Sequence, residues 1–265
     1  MSALQTWREG GILHVVLNRP EVKNAFDEAL IGKITEAFRS VKAASPFRVV
    51  CLSGEGPVFC AGGDLSWMKR AAGWTKAENR KDAMRLFRML LAVRDCPKPV
   101  VAAVRGFALG GGSGLAAACD RVIAEEGTQF GFTEVRLGII PGAISPFVIE
   151  KIGLTHARDL FTSGRRFSAG KAFHIGLVSE TTPEGKLDEV VSEALKDYLL
   201  SAPGATGQAK KLAFDVSAEL TRKPFKSLGP KVAARIAAKR ADPEAKAGFE
   251  AFFAKKPAPW TFPPS

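Results

Sequence analysis

Residues 104–115, Val-Arg-Gly-Phe-Ala-Leu-Gly-Gly-Gly-Ser-Gly-Leu, set Gly110, Gly111, Gly112 and Gly114 between an apolar strand and an apolar helix, and so strip the side chains from a helix N-terminus. A helical glycine costs roughly 1 kcal/mol relative to alanine, so these positions need a reason. The reasons on offer are a tight turn, close backbone packing, or bare N–H groups that receive negative charge. A second stretch of the same kind, Phe59-Cys60-Ala61-Gly62-Gly63-Asp64-Leu65, follows an apolar strand at 48–53 and leads into a helix-like stretch in which Asp64 is placed to cap. Either stretch alone reads most plainly as a structural turn. Together they offer two sets of backbone amides with the helix dipole aligned, and two donors converging on one oxygen make an oxyanion hole.

Several other chemistries are disfavoured. Gly110 to Gly114 lacks the third glycine of a dinucleotide loop, and no GxxxxGK[ST] occurs. Ser113 lacks one of the flanking glycines of a nucleophile elbow, and no histidine presents itself as its partner. Cys51, Cys60, Cys96 and Cys119 form no CxxC pair and share no ligand spacing with His14, His156 or His174, so neither a metal site nor a disulfide framework is expected. Each cysteine sits among apolar residues, as a buried inert thiol does. The longest charge-free apolar run, 106–119, is shorter than the ~20 residues of a membrane span. Arg8 and Glu9 fall where a signal peptide would be apolar, which points to a cytoplasmic protein. The net charge of +11 favours polyanionic partners, namely nucleic acid, an anionic membrane or a phosphate-rich cofactor; a solubilising surface is the plainer reading for most of these lysines.

Apolar runs at 12–17, 49–52, 100–104 and 122–124 read as strands, and helical periodicity covers 25–44, 75–93, 113–118 and 145–152. Strands alternating with helices predict an α/β chain. After about residue 202 the strand signals stop. Helices are expected over 210–220, 230–240 and 243–255, and the proline-rich 256–265 is expected to be an extended tail. The chain therefore divides into a core at 1–201 and a helical C-terminal region with its tail at 202–265.

The series Leu17-Asn18-Arg19-Pro20 with Asn24-Ala25, Phe59-Cys60-Ala61-Gly62-Gly63-Asp64, Gly106 to Gly112, Phe130-Gly131-Phe132-Thr133-Glu134, Leu137-Gly138-Ile139-Ile140-Pro141-Gly142 and Arg165-Arg166-Phe167-Ser168-Ala169 resembles the crotonase (enoyl-CoA hydratase/isomerase) superfamily in order and spacing. The resemblance covers nearly the whole chain. It implies an α/β spiral of ββα repeats with a helical C-terminal region, a homotrimer or hexamer, and an acyl-CoA thioester as substrate, with coenzyme A entering only as part of that substrate and no separate cofactor. It carries the two oxyanion donors onto Gly63 and Gly111 and an acid–base glutamate onto Glu134. Loss of one such donor typically costs ~3 kcal/mol of transition-state stabilisation. It also places Glu21, Val22, Lys23 and Ala61 along the CoA moiety, with Lys255 or Lys256 reaching a phosphate. Trp67 and Pro141 are further candidates for substrate contact, although packing on a helix is the plainer role for Trp67.

The chain departs from the superfamily at one point. Where the hydratase branch commonly carries a second glutamate, this sequence has Gly114, which can neither accept nor donate a proton. Glu134 alone could take a proton from water as it attacks the β-carbon and return one to the α-carbon. It could equally carry a proton between the α- and γ-carbons, which is Δ3,Δ2-enoyl-CoA isomerisation. Set among Phe130, Phe132, Val135 and Leu137, its pKa should be raised. The runs 63–68 and 141–147 look like the bacterial methylglutaconyl-CoA hydratases, which tilts the expectation toward hydration of a branched enoyl-CoA. Two other classes stay open: a basic nucleic-acid binder, disfavoured by the lack of the usual aromatic stacking motifs, and a non-catalytic CoA-binding relative, against which Glu134 argues.

Overall fold

The computed structural model describes residues 2–220, 234, 238–239 and 242–261. Its strands are β1 (Leu4–Glu9), β2 (Ile12–Leu17), β3 (Val49–Gly54), β4 (Val100–Val104), β5 (Phe107–Leu109), β6 (Arg121–Glu125), β7 (Gln129–Gly131), β8 (Arg166–Ser168) and β9 (Glu180–Thr182). The helices are α1 (Glu28–Ser40), α2 (Leu65–Ala71), α3 (Lys76–Arg94), α4 (Gly111–Ala118), α5 (Ser145–Ser163), α6 (Ala169–His174), α7 (Leu187–Leu200), α8 (Pro203–Leu220) and α9 (Pro243–Phe253).

Six strands form one sheet in the order β1-β2-β3-β4-β6-β9, parallel apart from the β1–β2 hairpin, and β5-β7-β8 form a second, smaller sheet. The chain climbs by laying one strand in the large sheet, the next in the small one, and a helix after them: β4, β5, α4, then β6, β7, α5. This is the α/β spiral of ββα turns that the resemblance implies. The parallel strands read as near-continuous apolar runs because both faces are covered. On one face Val49, Cys51, Val101, Ala103 and Ile123 pack against Leu187, Val191, Ala194 and Leu195 of α7. On the other, Val50, Leu52, Val100, Ala102, Val104, Val122 and Ala124 join the main core.

The expected strands at 12–17, 49–52, 100–104 and 122–124 are present, the first and third with the expected bounds and the other two each two residues longer. Strand β1 escapes the sequence reading because only Leu4 of its six residues is buried, so its side chains carry no apolar alternation. Helix α1 starts at Glu28 because the Asp27 carboxylate accepts from Leu30 N at 2.7 Å, and it buries Leu30, Ile31, Ile34 and Phe38. Helix α3 opens on a capping box between Thr75 and Glu78. The helix expected to stop at 152 runs on to Ser163, broken at Gly153, whose φ of +73° suits glycine.

Beyond Ser201 the described residues include α8 and α9; the helix expected over 230–240 lies outside them apart from positions 234, 238 and 239. Helix α8 is tied to the sheet by Lys210, whose Nζ lies 2.7 Å from Asp120 Oδ2, and by Phe214 beneath the Arg94 guanidinium at 3.8 Å. Residues 256–261 are non-helical, but they do not run free. The Trp260 indole N–H donates to Leu200 O at 3.1 Å, and its ring covers Gly248, where a Cβ would lie 2.6 Å away. The expected extended tail is in this part a strap folded back on α7 and α9; residues 262–265 lie outside the described set. Among the described residues no helix is long and apolar enough to cross a membrane.

Candidate active site

A ladder of backbone pairings assembles the site. Cys60 pairs with Ala108, Ala108 with Phe130, and Phe130 with Phe167. The first two pairings are parallel, so the segments that continue to Gly63, Gly111 and Glu134 leave the ladder at the same end. The glycines let the backbones touch there. A Cβ on Gly62 would lie 2.8 Å from Leu109 O and 3.9 Å from Gly111 N, and one on Gly112 would lie 2.4 Å from Cys60 O. Gly110 has φ +51° and ψ −118°, a conformation that L side chains avoid, and it turns the chain from β5 into α4. Close approach thus accounts for Gly62 and Gly112, and an unusual backbone for Gly110.

Among the described residues neither Gly63 N–H nor Gly111 N–H meets an acceptor, while their neighbours do: Asp64 N donates to Phe26 O at 2.8 Å and Gly110 N to Gly131 O at 2.8 Å. Each free donor sits at or just before a helix start, α2 or α4, and both residues are half-buried. Glu134 opens a short 3₁₀ turn, Glu134–Leu137, and brings its carboxylate to the same place. A Cβ on Gly110 would lie 3.3 Å from Glu134 Oε1. The other oxygen, Oε2, is buried with no hydrogen-bond partner. Burial pushes the Glu134 carboxyl above its ordinary range, against a smaller opposing pull from a backbone hydrogen bond. Two unused amide donors and one underbonded carboxylate therefore stand at the same end of the ladder, groups of the kind that can hold negative charge on an oxygen and move a proton beside it.

A family model described as enoyl-CoA hydratase/isomerase matches residues 8–262. The chain belongs to the enoyl-CoA hydratase/isomerase family. A Thermus thermophilus protein provisionally named an enoyl-CoA hydratase is 32% identical over 254 residues, covering 94% of this chain and 97% of the relative. The enoyl-CoA isomerase/hydratase fer4 of Mycosarcoma maydis is 35% identical over 223 residues, 80% of each chain. The crystal structure of an enoyl-CoA hydratase from Shewanella pealeana superposes with a TM-score of 0.91 at 30% identity, covering 98% of this chain and 96% of that one. Members of the enoyl-CoA hydratase/isomerase family act on acyl-CoA thioesters, and both activities appear among the names.

The remaining candidate residues of this family member lie in four places. Lys23 and Ala61, expected along the CoA moiety, are joined: Ala61 N donates to Lys23 O at 3.0 Å, and Lys23 takes the left-handed conformation at φ +55°. Asn24 holds this corner, its Nδ2 donating to Val58 O at 2.7 Å and to Glu55 O at 2.9 Å. Val22 is half-buried beside it and Glu21 is exposed. Lys255 and Lys256 are exposed beyond α9, and among the described residues no hydrogen bond or ion pair links them to that corner. Pro141 is buried and its carbonyl accepts from Ser145 N at 3.0 Å, at the start of α5. Asp64 caps α2 as expected, accepting from Ser66 N at 2.9 Å and Trp67 N at 3.3 Å, and pairs with Arg19 at 3.0 Å.

At Gly114 the structure supplies a reason for the missing acid. A Cβ there would lie 2.4 Å from Ile144 Cγ2 and 3.6 Å from Leu90 Cδ1, so the side chain of Ile144 fills the space. Ser113 is buried and structural: its hydroxyl donates to Ala108 O at 2.5 Å and accepts from Gly131 N at 3.2 Å, stapling β5 to β7. All four cysteines are buried and free, and burial pushes the Cys51 and Cys60 thiols up to about 12. Two residues escape the sequence reading. Ile144 lies in the run 141–147 with no role assigned to it, and Asp82 is a buried carboxylate inside the charged run 76–82. The signal for Asp82 is its place on the helical stripe 82, 86, 89, 90 and 93 of α3, whose other members are apolar.

Proposed function

We propose that this chain is a single-glutamate enoyl-CoA hydratase. The Gly63 and Gly111 N–H groups hold the thioester oxygen, and Glu134 is the one carboxylate at the reacting carbons. The oxygen of water attacks the β-carbon as Glu134 takes its proton, the C=C electrons move onto the thioester as an enolate, and Glu134 returns the proton to the α-carbon. Oxyanion donors aimed at that developing charge supply the largest share of the stabilisation. A carboxyl whose pKa is raised by burial is suited to carrying a proton near neutrality. The observation that carries the reading is the buried, unpartnered Oε2 of Glu134 beside two amides without acceptors. The CoA moiety of the substrate would lie along Val22, Lys23 and Ala61, and Trp67 and Pro141 would line the acyl side. The reading calls for no cofactor beyond that moiety.

A branched acyl chain, with 3-methylglutaconyl-CoA as the specific candidate, is supported by the likeness of the runs 63–68 and 141–147 to hydratases of that substrate. A homotrimer or hexamer is in keeping with the exposed apolar side chains of Leu137, Ile139, Ile140, Leu154 and Phe173. Δ3,Δ2-enoyl-CoA isomerisation is the second reading, and Ile144 favours it, because the space where a second acid would stand is filled by hydrocarbon. The two separate on product mass. Crotonyl-CoA and 3-methylglutaconyl-CoA are incubated with the protein and with Glu134→Gln, and the enoyl-thioester absorbance and product masses are followed. Gain of one water that vanishes in Glu134→Gln supports hydration. Unchanged mass on both, with a 3-enoyl-CoA converted to its conjugated isomer, would establish the isomerase instead.

A further inference from the structure

Two unsatisfied polar atoms lie together behind the oxyanion amide. Trp67, the third residue of α2, is only 8% exposed, and its benzo edge packs on Gly63: a Cβ there would lie 3.3 Å from Trp67 Cζ3. The opposite, pyrrole edge carries Nε1, which is buried without a partner. Facing it from α3 is Asp82, also 8% exposed, whose Oδ1 is likewise buried without a partner. Burial pushes the Asp82 carboxyl up from its ordinary range; the Trp67 indole N–H pulls it back, Glu28 adds to the rise and Arg85 opposes it. A buried donor and a buried acceptor that face each other without reaching hydrogen-bond geometry are both desolvated and both left without the bond that would offset it. Such an arrangement costs stability unless it closes in another state or serves a purpose.

We propose that Asp82 is a positioning residue for the oxyanion hole: its carboxylate closes on the Trp67 indole N–H when substrate is bound, clamps the benzo edge of that ring against Gly63, and so fixes where the Gly63 N–H points. Asp82 touches neither substrate nor reacting atoms. Among the described residues the hydrogen bond from Asp64 holds only the backbone N–H of Trp67, and the indole N–H is left to Asp82. A tryptophan is suited to the task because one rigid plane carries a packing edge and a donor edge. The inference rests on the reading that Gly63 N–H binds the thioester oxygen.

The test compares Asp82→Leu, Asp82→Asn, Trp67→Phe and the Asp82→Leu/Trp67→Phe pair. Asp82→Leu removes the acceptor and is expected to lower kcat about ten- to a hundredfold, the cost of a misaimed group, with KM within about threefold of wild type. Asp82→Asn keeps an oxygen that can accept from the indole and is expected to restore most of kcat. Trp67→Phe should match Asp82→Leu, and the pair should be no worse than either, because both break one unit. With 5-fluorotryptophan incorporated, the Trp67 resonance, assigned by its loss in Trp67→Phe, should move in Asp82→Leu and hold in Asp82→Asn, which also covers the case of a poorly folding leucine variant. Wild-type kcat in Asp82→Leu, multiplying losses in the pair, or an unmoved resonance would overturn the proposal alone. A wild type that turns over no enoyl thioester would overturn the functional reading and this proposal together.

Discussion

Glu134 carries a free-energy signature apart from any turnover. Its folded-state pKa is raised by burial above the ordinary 4.5. Between those two values the folded protein binds more protons than the unfolded chain, so this group's contribution to stability falls as pH rises through the window. Glu134→Gln should therefore raise Tm at pH 7 and lose that advantage below pH ~4.5, where both forms are protonated. The same variant should lower kcat by about two to four orders of magnitude, the usual worth of a positioned acid–base group. A Tm that drops at neutral pH would mean that the carboxylate is stabilised in the fold, contrary to its open Oε2. In the wild type, kcat/KM should fall on the acid side as Glu134 takes up a proton, with a midpoint above 4.5. Gly110→Ala joins a positive φ to a new Cβ 3.3 Å from Glu134 Oε1, and should cost about 1–3 kcal/mol in urea unfolding along with activity.

At the scale of elements, the packing of α4 against the start of α5 decides which chemistry the site can hold. Ile144 immediately precedes α5 and fills the volume over Gly114, so Gly114→Glu alone should destabilise by about 1–3 kcal/mol from overpacking, read in urea unfolding. Adding Ile144→Ala opens that volume and should recover most of the loss. If the doubly substituted protein then hydrates crotonyl-CoA faster than the wild type, a second carboxylate is what Gly114 withholds; an unchanged rate would show that one glutamate suffices. The glycines at both helix starts were visible in the sequence because their cost demands a reason. Which residue fills the gap at Gly114 was not visible, since Ile144 is thirty positions away and reaches it only through the α4–α5 packing. The three-residue strands β5, β7 and β8 were missed for a related reason: each is held by pairing with a distant segment and is too short to show a period of its own.

Across the whole molecule, charge and the C-terminal helices add two expectations. With a net charge of +11 and an anionic thioester as partner, KM should rise about threefold or more between about 0.05 and about 0.5 M salt while kcat holds, because screening weakens encounter and not the proton transfers. Lys210→Met should lower stability on the order of 1–3 kcal/mol in urea unfolding, between the worth of exposed and buried pairs, since Lys210 and Asp120 are largely shielded and join α8 to the sheet. The apolar runs, the proline and glycine punctuation and the spacing of the two glycine junctions determined by themselves that this is an α/β chain with two bare helix starts and a glutamate downstream, because periodicity and backbone cost are local properties that a string of residues records. Only the tertiary structure decided that Gly63, Gly111 and Glu134 stand at one end of a ladder, that the Ile144 side chain fills the volume over Gly114, and that Asp82 stands behind Trp67. Those facts depend on the parallel ladder through Cys60, Ala108 and Phe130 and on helices crossing at a distance, and such contacts between remote positions leave no period in the sequence.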